Sequence, residues 1–370
     1  MRLMFSARAI ENMAGGVERM ITRIMNEMVN RGHQVHLLTL DAKGAQAFYP
    51  LTNEIVWHQL DTGNPNQAAG NHTRIIRALK IRNLVSRVRP DVMIGFQDGP
   101  FMALSLYTLS LGIPVIAAER NAPTRFNHTN AGWKRKQITF NAFRLARSIT
   151  VQFDSYKSQY PEYLQNKIVH IPNPVDQTEH QAHPCQSKNG RYELLSVGRL
   201  SYQKNYETLI TAFSQISDQF PEWDLSILGE GEERGKLEEL ILKKNLSHRI
   251  KMPGKTSDTS VAYTNANLFC LPSLWEGFPN ALAEAAAHGL PLIGFSDCCG
   301  VNELVKENDT GSLAQGINNS ETLSKTLANL MSNPEKRASL GAKARLAMTS
   351  YTPNHVMDNW EQLFKDTTHQ

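Results

Sequence analysis

The chain has 370 residues, 41% of them hydrophobic and 20% charged, and its formal net charge is +4 at pH 7. This composition excludes a disordered, collagen-like or disulfide-framework protein. The length exceeds that at which one hydrophobic core usually keeps growing, so we expect two domains. The cysteines show no paired metal-binding spacing, and no apolar N-terminal run suits export, so we expect reduced thiols in a cytoplasmic protein.

The charge is unevenly distributed along the chain. Residues 1–175 contain 21 Lys and Arg against 11 Asp and Glu, whereas residues 176–370 contain 18 against 24. A basic half joined to an acidic half indicates that the basic half meets an anionic surface or substrate. The alternative is that the imbalance only aids solubility.

The first half alternates strand and helix patterns, as parallel α/β domains do. Helices are predicted from Gly15 to about Arg31 and over residues 75–88. The uncharged run 101–118 has the length of a membrane span. Gly112 and Pro114 interrupt it, so we interpret it as a buried helix followed by a strand. A Rossmann-like domain is therefore predicted over residues 1–175.

The second half repeats this alternation. Residues 176–190 are polar, contain proline and lack periodicity, which predicts an interdomain linker. Strand patterns at 193–198, 225–228, 250–252, 268–271 and 290–295 then predict a second Rossmann-like domain over residues 191–350. Residues 351–370 carry Val356, Trp360, Leu363 and Phe364 on one helical face, which predicts a final helix.

Two glutamates, Glu276 and Glu284, stand eight positions apart around a Gly-Phe-Pro-Asn turn. On one continuous helix this spacing exceeds two turns by about 80°. We therefore expect Glu276 in a loop and Glu284 on a helix whose first position is Pro279. A helix N-terminus binds anions, and carboxylates beside it can accept hydrogen bonds from the hydroxyls of a sugar and a ribose. The alternative is a capped helix with two solvated acids.

The run from Pro272 to Pro291, PSLWEGFPNALAEAAAHGLP, closely resembles the signature of glycosyltransferase family 4. This resemblance covers nearly the whole chain. It implies the GT-B fold, an α/β architecture of two Rossmann-like domains facing a central cleft, whose C-terminal helix crosses back to the N-terminal domain. It also implies a retaining enzyme that uses a nucleotide sugar, here a UDP-sugar, as co-substrate without a cofactor.

The segment SVGRL at 196–200, followed by QKN at 203–205, resembles the second signature of the family. The resemblance implies that Arg199 and Lys204 hold the donor diphosphate and stabilise the leaving nucleotide. Negative charge grows on the departing phosphate, and fixed cations that meet it lower the barrier. No Asp-x-Asp motif is present, and we expect no metal because the two cations take its place. The alternative is an ordinary strand-end loop.

Two glycine-rich turns complete the donor site that the resemblance implies. Gly229 lies in a turn that resembles the family's nucleotide pocket, and the Gly15–Gly16 loop approaches the donor phosphate and the acceptor. Simple structural turns remain the alternative. The resemblance assigns catalytic roles to Arg199, Lys204 and Glu276. It assigns donor binding to Gly15, Gly16, Gly198, Arg199, Lys204, Gly229, Glu276, Gly277, Phe278, Pro279, Asn280, Leu282 and Glu284.

Glu119, Arg120 and Asn121 follow a predicted strand, where many family members carry a histidine that touches the transferred sugar. A similar Glu-Arg-Asn is found in some bacterial relatives that build lipid-linked oligosaccharides. We expect these three residues to bind the acceptor: Arg120 would bind an acceptor phosphate or the donor sugar, and Glu119 would accept a proton. A purely structural Glu–Arg pair is the alternative.

Two basic stretches of the first half are expected to face an anionic membrane. They contain Arg74, Arg77 and Lys80 on one helix, and the run Trp133, Lys134, Arg135 and Lys136. The alternative is a solvated helix face. Nucleic acid is not an expected partner, because aromatic residues are not interleaved with the cations.

The resemblance implies transfer of a hexose or N-acetylhexosamine, by front-face attack, at the cytoplasmic face of the membrane. The acceptor would be a polyprenyl-diphosphate-linked glycan or a lipopolysaccharide precursor, in the synthesis of a surface polysaccharide such as O-antigen or capsule. One alternative is a nucleotide-sugar epimerase or a phosphorylase on the same fold. Another is a catalytically silent sugar-nucleotide-binding partner in a transferase complex.

Overall fold

The computed structural model describes residues 1–13, 15–65, 67–128, 132–256 and 258–368. The described chain divides into two compact units. The first unit comprises residues 1–173 and 354–368, and the second comprises residues 174–353. Each unit is built on one parallel β-sheet.

The sheet of the first unit has seven parallel strands in the order β3-β2-β1-β4-β5-β6-β7. The order reverses beside β1, so the loops that follow β1 and β4 leave the carboxyl edge side by side, where such sheets bind ligands. Strand β4 is buried throughout, as expected for a strand covered on both faces. The strands are β1 Arg2–Ser6, β2 Gln34–Thr39, β3 Val56–Gln59, β4 Val92–Phe96, β5 Val115–Ala118, β6 Ser148–Val151 and β7 Ile168–His170.

The helices of the first unit connect these strands. The α-helices are α1 Gly16–Asn30, α2 Asn71–Val88, α3 Asp98–Tyr107, α4 Gly132–Ala142 and α5 Glu162–Gln165. Short 3₁₀ helices cover Pro123–His128, Phe143–Leu145 and Asp154–Gln159. The uncharged run 101–118 forms most of α3 and then β5, as predicted. None of the helices that the structure describes is both long and apolar enough to span a membrane.

The second unit has a six-stranded parallel sheet in the order β10-β9-β8-β11-β12-β13, which reverses beside β8. Its strands are β8 Tyr192–Val197, β9 Trp223–Leu228, β10 Ile250–Gly254, β11 Leu268–Leu271, β12 Leu292–Phe295 and β13 Gly311–Ala314. Its α-helices are α6 Tyr206–Ile216, α7 Arg234–Lys243, α8 Ser260–Asn265, α9 Asn280–Ala287, α10 Val301–Leu304, α11 Ser320–Met331 and α12 Pro334–Ala347. Short 3₁₀ helices cover Tyr202–Lys204 and Met348–Tyr351.

The segment 176–190, which the sequence predicts to be a linker, packs on the second unit. The Asn267 Nδ2 amide donates to the carbonyl oxygens of His183 and Gln186, at 3.1 and 2.7 Å. The buried Arg337 donates from Nε to the carbonyl of Pro184 at 2.8 Å. Backbone carbonyl groups of this segment therefore accept hydrogen bonds from side chains of the second unit, and the segment is anchored to that unit.

The last helix, α13 Pro353–Thr368, completes the core of the first unit. Trp360 and Phe364 are fully buried, and their rings lie 6.1 Å from Phe96 and 6.0 Å from Phe5. Burial of two such aromatic side chains contributes about 1.5–3 kcal/mol each. On the polar side, Arg31 Nη1 donates to the Asp358 carboxylate at 2.7 Å.

Candidate active site

The two family motifs of the second unit meet at one contact. Lys204 ends the 3₁₀ helix after β8, and Glu276 lies in the loop between β11 and α9. Lys204 Nζ donates to Glu276 Oε1 at 2.5 Å, and Ser273 Oγ donates to the same oxygen at 2.6 Å. Since β8 and β11 flank the point where the strand order reverses, this contact lies where open α/β sheets bind ligands.

The Lys204–Glu276 contact places a cation and a carboxylate within one hydrogen bond. Glu276 is only 6% exposed, and Ser273 is fully buried. Glu276 takes one of the three N–H donors of the Lys204 ammonium group, and an ammonium group can bond several oxygens at once. The pair can therefore bind a phosphate oxygen and accept a hydrogen bond from a neighbouring hydroxyl group.

Two glycines allow the backbone to come close to Lys204. A Cβ atom on Gly198 would lie 3.1 Å from Lys204 Cε and 2.8 Å from Tyr206 Oη. Gly229 has a φ of +149°, and a Cβ atom there would lie 1.9 Å from the carbonyl oxygen of Gly198. Glycine is required at position 229 because the φ is positive and the loops after β8 and β9 pack backbone against backbone there, whereas a side chain at position 198 would crowd the side chains of Lys204 and Tyr206.

Arg199 is not part of the Lys204–Glu276 contact. Its side chain is 74% exposed, and its Nη2 lies 3.1 Å from the carboxylate of Glu232, which is itself 58% exposed. Such an exposed ion pair is worth at most about 1 kcal/mol. A more highly charged anion can therefore displace Glu232 and recruit Arg199.

Glu284 lies on α9 and Glu276 in the preceding loop, as the spacing predicts. The buried Tyr263 donates from its hydroxyl to Glu284 Oε2 at 3.0 Å. His288 bonds through Nδ1 to the Glu284 carbonyl at 2.8 Å and through Nε2 to Ser260 Oγ at 2.9 Å. Burial lowers the pKa of His288. Tyr263 and Ser260 are not predicted from the sequence, since α8 carries no motif.

The turn before α9 differs from the prediction in one respect. Pro279 is the N-cap residue rather than the first helical residue, and the backbone N–H groups of Leu282 and Ala283 donate to its carbonyl oxygen at 3.0 Å. Phe278 and Leu282 are buried in the second unit, and the Phe278 ring packs on Tyr351 at 5.7 Å. Backbone groups of the turn Gly277–Asn280, rather than these apolar side chains, are therefore suited to meet a ligand.

The Gly15–Gly16 loop belongs to the first unit. Gly15 is the N-cap residue of α1, and Gly16 is its first residue. A Cβ atom on Gly15 would lie 2.0 Å from Glu18 Oε2, so the Glu18 carboxylate lies over the start of the helix. Burial raises the pKa of Glu18. Glu18 is not among the predicted site residues, and its carboxylate lies beside the loop that is predicted to approach the donor phosphate.

Arg120 is a correction to the predicted acceptor site. Its side chain is buried and points into the core, with Nη2 donating to Thr150 Oγ1 at 2.6 Å and Nη1 to the Ile171 carbonyl at 3.2 Å. The guanidinium carbon lies 5.3 Å from the ring centre of Trp360 on α13. Burial lowers the pKa of Arg120 to about 9. The side chain serves the fold and is not available to an acceptor.

Glu119 has a different arginine partner. Arg125 Nη1 donates to Glu119 Oε1 at 2.6 Å, and Arg125 Nη2 donates to Asp98 Oδ2 at 3.1 Å. The backbone N–H and side-chain amide of Asn121 also donate to Glu119 Oε1, at 3.0 and 3.3 Å. Burial opposes the charge of Arg125, but Glu119 and Asp98 outweigh it and raise the pKa of Arg125. This cluster lies at the carboxyl ends of β4 and β5.

The basic residues of α2 have mixed environments. Arg77 Nε donates to Thr62 Oγ1 at 3.0 Å, and Lys80 Nζ donates to the Leu60 carbonyl at 2.9 Å, so both anchor the helix to the preceding segment. Arg74 is exposed. The helix buries only Ile81 and Val85, and it exposes Ile75 and Leu79 by 61% and 58%. The surface of α2 therefore combines basic and apolar side chains.

Helix α4 has a similar surface. Trp133 and Ile138 are 68% and 62% exposed, and Lys134 Nζ lies 5.4 Å from the Trp133 ring centre. Arg135 reaches back to within 3.5 Å of Asp98 Oδ2, and Lys136 Nζ lies 5.5 Å from the ring of Phe140. Trp133, Lys134 and Arg135 are therefore the exposed residues of this predicted membrane stretch, and Lys136 is partly buried.

Cys185, Cys270, Cys298 and Cys299 are all free thiols. Burial raises the pKa of the Cys270 and Cys298 thiols above their ordinary range. Within the described ranges, no three His, Cys, Asp or Glu side chains form a group that could hold a metal ion.

Comparison with known families gives two adjoining matches. The model described as "Glycosyltransferase Family 4" matches residues 14–179, and the model described as "Glycosyl transferases group 1" matches residues 177–347. The chain is 28% identical over 351 residues to an uncharacterised glycosyltransferase of Haemophilus influenzae, covering 94% of this chain and 96% of the relative.

Two further comparisons extend over most of the chain. It is 23% identical over 362 residues to the Campylobacter jejuni GalNAc-α-(1→4)-GalNAc-α-(1→3)-diNAcBac-PP-undecaprenol α-1,4-N-acetyl-D-galactosaminyltransferase, covering 95% of this chain and 96% of the relative. Among solved structures, sucrose-phosphate synthase from Thermosynechococcus elongatus superposes with a TM-score of 0.85 at 16% identity, covering 99% of this chain and 98% of that one. The structural likeness shows a shared fold.

Proposed function

This chain belongs to glycosyltransferase family 4 and has the GT-B fold, and we propose that it transfers a hexose or N-acetylhexosamine from a UDP-sugar with retention of configuration. Glycosyl transfer in polysaccharide or glycoconjugate synthesis is supported by the family matches and by the named relatives. The donor, the acceptor and the stereochemical course are the proposed parts.

The contact between Lys204 and Glu276 carries the proposal. When the bond between sugar and diphosphate breaks, negative charge grows on the leaving phosphate oxygens. Lys204 meets that charge with a cation already fixed by Glu276, so little reorganisation is needed at the transition state. Glu276, held by Ser273, accepts a hydrogen bond from a hydroxyl of the transferred sugar.

The nucleotide lies beside these groups in the proposed complex. Glu284 accepts hydrogen bonds from the ribose hydroxyls, and Tyr263 fixes the orientation of its carboxylate. Arg199 leaves its exposed partner Glu232 and joins Lys204 at the diphosphate. With the two cations at the diphosphate, we propose that no metal ion is required. The acceptor hydroxyl then attacks from the face that the nucleotide leaves, and the leaving phosphate takes its proton.

The proposed acceptor is a polyprenyl-diphosphate-linked glycan or a lipopolysaccharide precursor at the inner face of the cytoplasmic membrane. The name of the Campylobacter relative includes an undecaprenol diphosphate acceptor, which supports this class. The basic and apolar surfaces of α2 and α4 suit an anionic membrane. Glu119, held by Arg125 and Asn121, is the carboxylate that we propose for the acceptor side.

A donor screen tests the proposal. The protein is incubated with UDP-glucose, UDP-galactose, their N-acetyl forms and GDP-mannose, with and without polyprenyl-diphosphate glycans, and with or without EDTA. We expect UDP release that one acceptor stimulates and that EDTA spares, with an α-linked product. Interconversion of the donor sugars would instead indicate an epimerase. Tight binding without turnover for every acceptor would indicate a silent partner.

A further inference from the structure

The first unit contains a polar cavity at the edge of the sheet opposite Glu119. It lies below the amino ends of β5 and β6 and beside the end of α3, and its volume is about 350 Å³. Its charged lining residues are Arg144, Arg147 and Lys167. No carboxylate is among its described lining residues, so its charge is entirely positive.

One of the three cations, Lys167, is anchored to the backbone of the segment that carries the other two. Lys167 Nζ donates to the carbonyl oxygens of Arg144 and Ala146, at 2.7 and 2.8 Å. The Arg144 guanidinium is packed 4.9 Å from the ring centre of Tyr163. Burial, together with the charges of Arg147 and Arg144, lowers the pKa of Lys167. Like charges that are fixed side by side are stabilised by a bound anion.

Ser105 provides an independent observation. It lines the same cavity, it is only 4% exposed, and its hydroxyl has no hydrogen-bond partner among the described residues. A buried hydroxyl without a partner costs about 1–3 kcal/mol, so native structures seldom contain one without a reason. A bound phosphate oxygen would accept its hydrogen.

The rim of the cavity is apolar. Leu109 and Leu145 line it and are 58% and 43% exposed, and Leu106, near the end of α3, is 56% exposed. Arginine recognises phosphate through paired N–H groups, and exposed leucines beside such a site favour a phosphate that carries an apolar group.

We infer that this cavity, lined by Ser105, Arg144, Arg147 and Lys167, binds a phosphoryl group. A lipid head group and a free phosphate share this chemistry, and the leucine rim favours the lipid. The site lies across the sheet from Glu119 and in a different unit from Lys204, so it does not depend on the glycosyl-transfer reaction.

Two variants of the full-length protein test the site. Arg144→Glu reverses an exposed cation, and Ser105→Ala removes the hydroxyl without removing a protein contact, so its Tm should be unchanged or higher. Lys244→Glu, an exposed cation of the second unit, is the charge-matched control. The probes are inorganic phosphate, measured by calorimetry, and vesicles of phosphatidylcholine with and without phosphatidylglycerol. Lys204→Ala serves as a second reference, since phosphate binding that survives it does not belong to the donor site.

We expect both variants to weaken phosphate binding, by about tenfold for each lost charge-assisted contact, while Lys244→Glu has no effect. Parallel loss of binding to the anionic vesicles identifies the lipid as the source, and unchanged vesicle binding identifies a soluble phosphate. Unchanged phosphate affinity in both variants would overturn the inference. A loss in Arg144→Glu alone would also overturn it, because only general charge would then be involved. Donor hydrolysis is measured in the same variants, so that failure of the proposed reaction is seen separately.

Discussion

The two units have the same architecture but carry net charges of opposite sign. The first unit contains 22 Lys and Arg against 14 Asp and Glu, and the second contains 17 against 21. Of the fourteen large hydrophobic residues exposed in the described chain, ten lie in the first unit. Two parallel sheets of similar size therefore show that fold alone does not determine a surface, and that the first unit is the one suited to an amphiphilic partner.

The chemistry of the two units differs as well. In the second unit the carboxyl edge of the sheet combines Lys204 with the buried Glu276 and the partly exposed Glu284. In the first unit the corresponding edge is closed by the buried Asp98–Arg125–Glu119 cluster. We therefore expect substitutions in the second unit to affect the donor, and substitutions in the first to affect stability or the acceptor side.

The largest effect is expected for Lys204→Ala. Removal of a fixed cation that meets transition-state charge should lower kcat by about 10²–10³-fold. Steady-state kinetics of donor hydrolysis or transfer measure this effect. Lys236→Ala, which removes an exposed lysine paired with Glu207, is the matched control and should keep full activity. A change confined to the KM of the acceptor would contradict the assignment of Lys204 to the donor.

Arg120→Met tests the contrast between a buried and an exposed arginine. We expect the free energy of unfolding to fall by about 3 kcal/mol, because buried partners in β6 and α13 lose their donor or packing contact. Arg199→Met should change the stability by less than about 0.5 kcal/mol, since Arg199 is exposed. Urea denaturation of both variants provides the comparison. Equal stabilities would show that Arg120 does not support the core.

Glu284→Ala should weaken donor binding without loss of the fold. A hydrogen bond to a charged group contributes about 1.5–3 kcal/mol, which corresponds to a roughly tenfold to hundredfold rise in Kd. Calorimetric titration with UDP measures the change, and Glu321→Ala on the exposed start of α11 is the control. Wild-type affinity in Glu284→Ala would exclude the proposed ribose contact.

Tyr263→Phe refines that prediction, because it keeps the Glu284 carboxylate and removes only the hydroxyl that orients it. We expect a loss of about 1 kcal/mol in UDP binding, or roughly fivefold. The same titration decides the matter. If the loss equals that of Glu284→Ala, Tyr263 itself contacts the nucleotide, and the orienting role is wrong.

The smallest effect concerns the membrane surface of α4. Lys134→Glu should reduce binding to anionic vesicles by about 1 kcal/mol for each charge removed near the surface, and this binding should fall with salt because screening acts over about 8 Å. Sedimentation with vesicles at two salt concentrations measures it, with Lys244→Glu as control. Equal binding to neutral and anionic vesicles would contradict the proposal that the basic residues of the first unit bind an anionic membrane.

The sequence predicts local features of the site better than its long-range contacts. The eight-residue spacing of Glu276 and Glu284 was enough to separate loop from helix, because helical geometry is local. The partner of Glu119 could not be read in this way. Arg120 is its neighbour in sequence, but successive residues at the end of a strand point in opposite directions, so Arg120 enters the core and Arg125 reaches the carboxylate.

Two other features also depend on contacts that are distant in sequence. The segment 176–190 lacks helix and strand patterns, and only the positions of Asn267 and Arg337 show that it packs on the second unit. On α2, which is predicted as a helix, Ile75 and Leu79 are exposed while Ile81 and Val85 are buried. Hydrophobicity alone does not show whether a partner covers a side chain.

The place of α13 has a consequence for the order of events during synthesis. Trp360 and Phe364 belong to the core of the first unit, although the whole second unit separates them in the chain from β1. A growing chain usually folds its N-terminal domain first. Here the first unit emerges from the ribosome without its last core helix. All residues of the second unit are therefore synthesised before the first unit is complete. Until α13 is synthesised, the apolar surface that it covers stays exposed, and a chaperone can bind it.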